Sequence, residues 1–175
     1  AHRPTQLVVH TARIGLYRGD DALDVTAKSG RGDGLAFAPA WSILSPVLAA
    51  RRRAKALREA LDLGPVDDAA AGALAQELEA AERAVDACWP VYVEAFTRQM
   101  RESHGPSKSL RSGPWRRLLA RPVATLLCYC VDPERCHRTL LARSILPACG
   151  ATYGGERVVT PAAREAEQLC WSSLG

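Results

Sequence analysis

Residues 123–143 read VATLLCYCVDPERCHRTLLAR, from Val123 to Arg143, and this stretch decides the fold. Val123 to Val131 is a continuous apolar run, the pattern of a strand covered on both faces of a parallel sheet. Asp132-Pro133 then offers a helix start, with Asp as N-cap and Pro at the first helical position. The expected helix runs from Glu134 to Leu146 and ends before Cys149-Gly150. A second short strand is expected around Ala151 to Tyr153. Strand, helix and strand in this order form a βαβ unit.

Working outward, Gln6 to Leu16 alternates and is β-branched, which predicts the first strand of the same sheet. Tyr17 to Leu35 is rich in Gly and Asp and reads as one long loop, a length usually tied to function. Trp41 to Leu44 is expected as a helical turn ended by Pro46. Val47 to Leu63 follows as an amphipathic helix with Val47, Leu48, Ala54, Leu57 and Leu61 on one side. Gly64-Pro65 closes it, and Asp67 caps an alanine-rich second helix reaching Cys88. Trp89-Pro90 breaks the pattern. A third helix restarts at Val91 and runs to His104, with Tyr92, Ala95, Phe96 and Met100 facing inward. Arg116 to Leu119 is a further short helix. The expected fold is α/β: one domain over 1–175, with a small, mostly parallel sheet flanked by helices and a helical-hairpin insertion at 47–88.

Composition bounds the function classes. The 175 residues are 47% hydrophobic and 24% charged, which is globular and argues against wholesale disorder. The longest apolar runs are too short for a bilayer, so no membrane association is expected. The opening residues lack the succession of a secretory signal, and six cysteines are too few for a disulfide scaffold. A cytoplasmic location with reduced thiols is the expectation. Lys and Arg number 23 against 19 acids. The excess gathers between Arg101 and Arg143, where Lys108, Arg111, Arg116, Arg117 and Arg121 outnumber the nearby acids. Such a face attracts phosphate, free or in nucleic acid, although a solvated arginine-rich surface explains it equally. Aromatic content of 6% leaves few stacking platforms for single strands.

The candidate chemistry sits where the strand at 123–131 hands over to the helix. Ligands of open α/β sheets bind outside the carboxyl ends of strands, where helix N-termini present free N–H groups. Cys136 is expected near such an N-terminus, beside His137 and Arg138, and so as the most acidic of the thiols. Three readings follow. Cys136 or Cys130 acts as a nucleophile or redox centre with His137 as proton partner, although neighbours on a helix diverge by about 100°. Alternatively, Cys128, Cys130, Cys136 and His137 bind a metal. Cys128 and Cys130 share a strand face, but Cys136 and His137 together are awkward ligands, and no metal is expected. In the third reading the cysteines are buried apolar residues and His137 and Arg138 hold the loop. The Cys-x5-Arg phosphatase loop, the Walker loop and the dinucleotide glycine fingerprint are not found.

The run Leu126 to Arg143, with its Cys-His-Arg opening a helix, resembles the signature of the domain-of-unknown-function 488 family. Val9 to Thr26 is similar to that family's first strand and loop, and Val91 to Arg101 to one of its helices. The resemblance leaves 47–88 and 157–175 outside. It implies a compact α/β domain with no settled activity and suspected nucleotide or nucleic-acid connections. Carried over by position, it implies a site of Cys128, Cys130, Cys136, His137 and Arg138, joined by Arg13 and Arg18.

The expected functional face therefore joins the ends of strands 6–16 and 123–131. Arg13, Arg18 and Arg138 supply cationic forks to a small anionic ligand, nucleotide-related in class. Tyr17, Asp24, Lys28 and Cys128 complete the binding set, with the loop at 17–35 as a lid. Cys136, His137 and Cys130 are the catalytic candidates. The cofactor stays undefined. A nucleic-acid partner through Arg111, Arg116, Arg117 and Arg121, and a protein partner through 47–88, are the competing readings.

Overall fold

The computed structural model describes residues 6–65, 67–107 and 112–158. Four parallel strands form one sheet in the order β2-β3-β1-β4: β1 (Val8–Arg13), β2 (Ala22–Asp24), β3 (Val123–Cys128) and β4 (Thr152–Glu156). The α/β expectation with a parallel sheet holds. β1 and β3 are paired along their whole length, from Val8 opposite Val123 to Arg13 opposite Cys128. The chain leaves β1 toward β2 and leaves β3 toward β4, in opposite directions along the sheet. The carboxyl ends of these two neighbours thus form a switch point, the place where α/β sheets open a crevice.

Two compact units divide the chain, 1–38 with 103–175, and 39–102. In the first, the sheet is covered by a helical segment that runs unbroken through α4 (His137–Leu140), a π-helical turn (Leu141–Ile145) and α5 (Leu146–Ala148). This segment buries Leu141, Ala142 and Leu146, while the strands bury Val9, Ala124 and Leu126. A second cluster forms around α3 (Gly113–Leu119), whose Trp115 is fully buried. Trp115 meets Phe37 and His104 edge to face, both at 5.0 Å, and its indole N–H donates to Ser103 Oγ at 2.9 Å. Each such large side chain contributes roughly 1.5–3 kcal/mol by leaving water.

The other unit is α1 (Trp41–Asp62) with most of α2 (Asp68–His104). Ala40 N–H donates to Gln99 Oε1 at 2.9 Å, and Arg58 pairs with Glu82. Early α1 thus meets late α2 and middle meets middle, as in an antiparallel hairpin. Val47, Ala54, Ala81, Tyr92, Phe96 and Met100 are buried.

Several local expectations need correction. Both helices run through their prolines: Pro46 lies inside α1 and Pro90 inside α2. A proline removes one backbone bond and crowds one carbonyl, which a long helix with a packed face survives. Near Pro46 the Ser45 hydroxyl takes up the Trp41 carbonyl. Around Pro90, Trp89 stacks on Tyr92 and Tyr92 on Phe96, so aromatic contacts span the interruption. The loop at 17–35 holds β2 and leads into a 3₁₀ helix, Gly32–Phe37. Three residues are too few for a strand period to show in sequence. The strand expected to reach Val131 stops at Cys128, and the helix expected from Glu134 starts at His137. Asp132 caps nothing helical; its carboxylate accepts the Glu134 N–H at 2.9 Å and closes a local turn.

Candidate functional site

The shortened strand and late helix place Cys136 in extended backbone as the N-cap of α4. The loop from 129 to 136 therefore returns to the strand end it left. The result is a sulfur cluster: Sγ atoms of Cys128, Cys130 and Cys136 all lie within 4.8 Å of one another. Cys128 and Cys130 are separated by 3.6 Å, although the strand ends at Cys128 and Cys130 lies in the loop beyond it. Cys128 and Cys136 are buried, whereas Cys130 is partly exposed. Cys136 joins the two cysteines at the strand end, and His137 is not among the clustered donors.

His137 turns toward Cys128 rather than its chain neighbour Cys136. Its Nδ1 stands 3.9 Å from Cys128 Sγ and its Nε2 is 2.7 Å from the Val25 carbonyl. A carbonyl only accepts, so Nε2 carries the proton and Nδ1 presents its lone pair to the sulfur. Burial pushes the His137 pKa down, which keeps the ring neutral.

Arg138 is fully buried, which sequence reasoning did not anticipate for an anion fork. Its Nη1 donates to the Cys130 carbonyl at 2.8 Å and lies 3.5 Å from Cys136 Sγ. Nη2 donates to Glu156 Oε1 at 2.8 Å. Nε is buried without a hydrogen-bond partner among the described residues. The guanidinium is thus a part of the sulfur centre, tied to the end of β4.

The acidity expected for Cys136 is reversed. The neighbouring Cys128 and Cys130 sulfurs, together with burial, push the Cys136 thiol strongly up. The Cys130 thiol does the same to Cys128, pushed up to about 11. Three sulfurs in contact cannot all carry charge, and the most enclosed one yields its proton last.

The remaining predicted residues lie at the end of β1 and on the loops after β1 and β2. Arg13 lies in register with Cys128 across the ladder, with its side chain exposed. Arg18 and Lys28 are exposed on the loops after β1 and β2. Asp24 organises the second of these loops: it accepts the Thr26 N–H at 2.9 Å and the Ser29 hydroxyl at 2.6 Å. Tyr129 in turn donates to Ser29 Oγ at 3.0 Å, linking this loop to the one that carries the cysteines.

Tyr17 belongs to a separate cluster. Its hydroxyl bonds Asp21 and receives Arg157, whose guanidinium lies 5.1 Å from the Tyr17 ring centre. Asp21 also accepts Thr125 Oγ1 at 2.7 Å and Arg157 Nη1 at 3.0 Å. Burial pushes the Asp21 pKa up, but the bonds from Thr125 and Tyr17 and the Arg157 charge outweigh it, leaving the carboxyl below its ordinary range. Glu156, Asp21, Thr125 and Arg157 were missed in sequence. Position at the carboxyl end of β4 was the available signal for Glu156.

A family model described as the active DUF488-N3 subclade matches residues 43–148. The chain belongs to the DUF488 family. The match runs across the helical hairpin, which the resemblance drawn from sequence had left outside, and includes every residue of the sulfur centre. No curated protein and no solved structure matches the chain. Among the described residues of this DUF488 chain, no helix is long and apolar enough to cross a membrane.

Of the arginines expected to meet nucleic acid, Arg117 is paired with Asp33, its Nε 2.8 Å from Oδ2. Arg116 is exposed and Arg121 half-buried. Arg111, with Lys108, lies outside the described residues.

Proposed function

We propose that this DUF488 chain is a thiol-dependent enzyme acting on a small anionic, nucleotide-class substrate. The observation that carries the reading is the convergence of three sulfurs within 4.8 Å at the carboxyl end of the sheet. A purely structural role for cysteine asks only for small apolar volume, and does not require sulfurs in mutual contact beside a buried guanidinium. The matched subclade is described as active, which fits an enzyme better than a passive module.

Cys130 is the nucleophile in this reading, because it is the sulfur of the three that solvent reaches. Cys128 and Cys136 stand behind it. His137 and Arg138 are positioning residues: one fixes Cys128 through the Val25 carbonyl, the other grips the Cys130 carbonyl and lies against the Cys136 sulfur. Arg13, Arg18 and Lys28 supply positive charge on the rim, suited to phosphate or carboxylate. Arg138 is removed from that binding set, since it is fully buried and both of its Nη groups are engaged within the protein. The nucleic-acid reading loses Arg117 in the same way.

The test is alkylation mapped by mass spectrometry on reduced, chelator-treated protein, combined with Cys130→Ser. Cys130 is expected to label before Cys128 and Cys136, and phosphate or a nucleoside phosphate to slow that labelling. Labelling of Cys130 no faster than its two buried neighbours would sink the reading.

A further inference from the structure

We propose that Cys128, Cys130 and Cys136 together bind one thiophilic divalent cation of the zinc type through their three sulfurs. The distances fit. Zinc–sulfur bonds of about 2.3 Å in a tetrahedral site put neighbouring sulfurs about 3.8 Å apart. The Cys128–Cys130 separation is already 3.6 Å, and the third sulfur lies within 4.8 Å of both. Small rotations about the side-chain bonds close the remainder, with no change in the backbone.

Two further features suit a metal. Binding replaces three S–H bonds by three metal–sulfur bonds, releases three protons to solvent and moves no electron. The product of a divalent ion and three thiolates carries one net negative charge. Arg138, fully buried with Nη1 3.5 Å from Cys136 Sγ, holds the matching positive charge. Its Nε is buried without a partner among the described residues, so an anionic cluster gives the guanidinium what a neutral thiol does not.

This inference deepens the thiol reading and rests on it for its catalytic meaning: a metal-bound sulfur is a thiolate whatever its surroundings, so the cation would prepare the nucleophile. The three ligands leave a tetrahedral ion one open position, the pattern of sites that take substrate rather than merely brace a fold.

The experiment titrates the reduced full chain with zinc against a chromophoric chelator, and with cadmium while recording the ultraviolet sulfur-to-metal band. One equivalent should bind, the band should correspond to three thiolates, and all three cysteines should resist alkylation. Cys128→Ser and Cys136→Ser should weaken binding by about 100-fold or more. Cys88→Ser and Cys149→Ser should change nothing. Because the cadmium band is read on the unaltered chain, the result does not depend on the variants folding. No binding at micromolar metal, a band of fewer than three thiolates, or unchanged affinity in a folded Cys136→Ser would overturn the proposal. Fast labelling of Cys130 under chelator without any metal binding would remove the cation and leave the thiol enzyme. Metal binding beside an inert Cys130 would do the reverse.

Discussion

Arg138 Nη2 reaches Glu156 Oε1 at 2.8 Å, joining the first turn of α4 to the last residue of β4. The arginine is fully buried and the glutamate side chain is 29% exposed. Only one partner can therefore be hydrated if the pair is broken. Glu156→Gln should leave the guanidinium charge enclosed, at a cost of about 1.5–3 kcal/mol. Arg138→Met should cost about 3–5 kcal/mol, because it removes the bond to the Cys130 carbonyl as well. Urea midpoints of both variants and of the double variant are the check. The double variant should lose less than the sum, since the two residues share one interaction. Additive losses would mean that the pair is not coupled.

Trp115 anchors the second cluster of the sheet-containing unit. It is fully buried, meets two rings and donates to Ser103. Trp115→Ala should cost about 3–5 kcal/mol through the cavity it leaves. Trp115→Phe keeps most of the volume but leaves Ser103 without its donor, at about 1 kcal/mol. Thermal melts should show the larger loss for Trp115→Ala; equal losses would put the whole cost on the hydrogen bond that both variants lack, and a Trp115→Phe as stable as the parent would contradict a hydrogen-bonding role for the indole.

The contacts that hold the fold and the site differ widely in how visible they are in the sequence. β1 and β3 were legible because Val9, Ala124 and Leu126 belong to apolar or alternating runs of the kind a sheet accommodates. The catalytic candidates were legible as a set, since three cysteines, a histidine and an arginine fall in eleven residues. Their geometry was not. Asp132-Pro133 carries the signals of a helix start, yet Asp132 serves a turn, and the helix begins four residues after Pro133. That delay lets Cys136 come back to Cys128. Arg138, read from sequence as a fork for an anionic ligand, is instead fully buried. β2 escaped notice because its three residues find their order in pairing with β3 rather than in a pattern of their own.

The Tyr17–Asp21–Thr125–Arg157 cluster makes a pH prediction. With the Asp21 pKa held below its unfolded value, near 3.9, the carboxylate stabilises the fold at all pH above that value. The contribution is lost as pH falls below about 4 and toward the folded pKa, because the unfolded chain takes up the proton first. Asp21→Asn should lower stability at pH 7 and flatten the dependence on pH in that acid window. Urea denaturation at pH 7, 4 and 3 measures both effects. A variant with the same acid slope as the parent would assign the acid loss to other carboxylates.

Pro90 offers the sharpest contrast between a sequence signal and the fold. In isolation a proline in a helix interior costs about 3 kcal/mol relative to alanine, through a missing N–H and a crowded carbonyl. α2 nevertheless continues through it for 37 residues, with Tyr92 and Phe96 buried just beyond. The helix must therefore be held by its packed face rather than by local preference. Pro90→Ala should then stabilise the chain by up to about 3 kcal/mol and deepen the helical circular-dichroism signal, as the interrupted bond forms. A lower melting temperature would give the opposite answer: the local bend at Pro90 would be a requirement for stacking Trp89, Tyr92 and Phe96, and straightening the helix would break that stack.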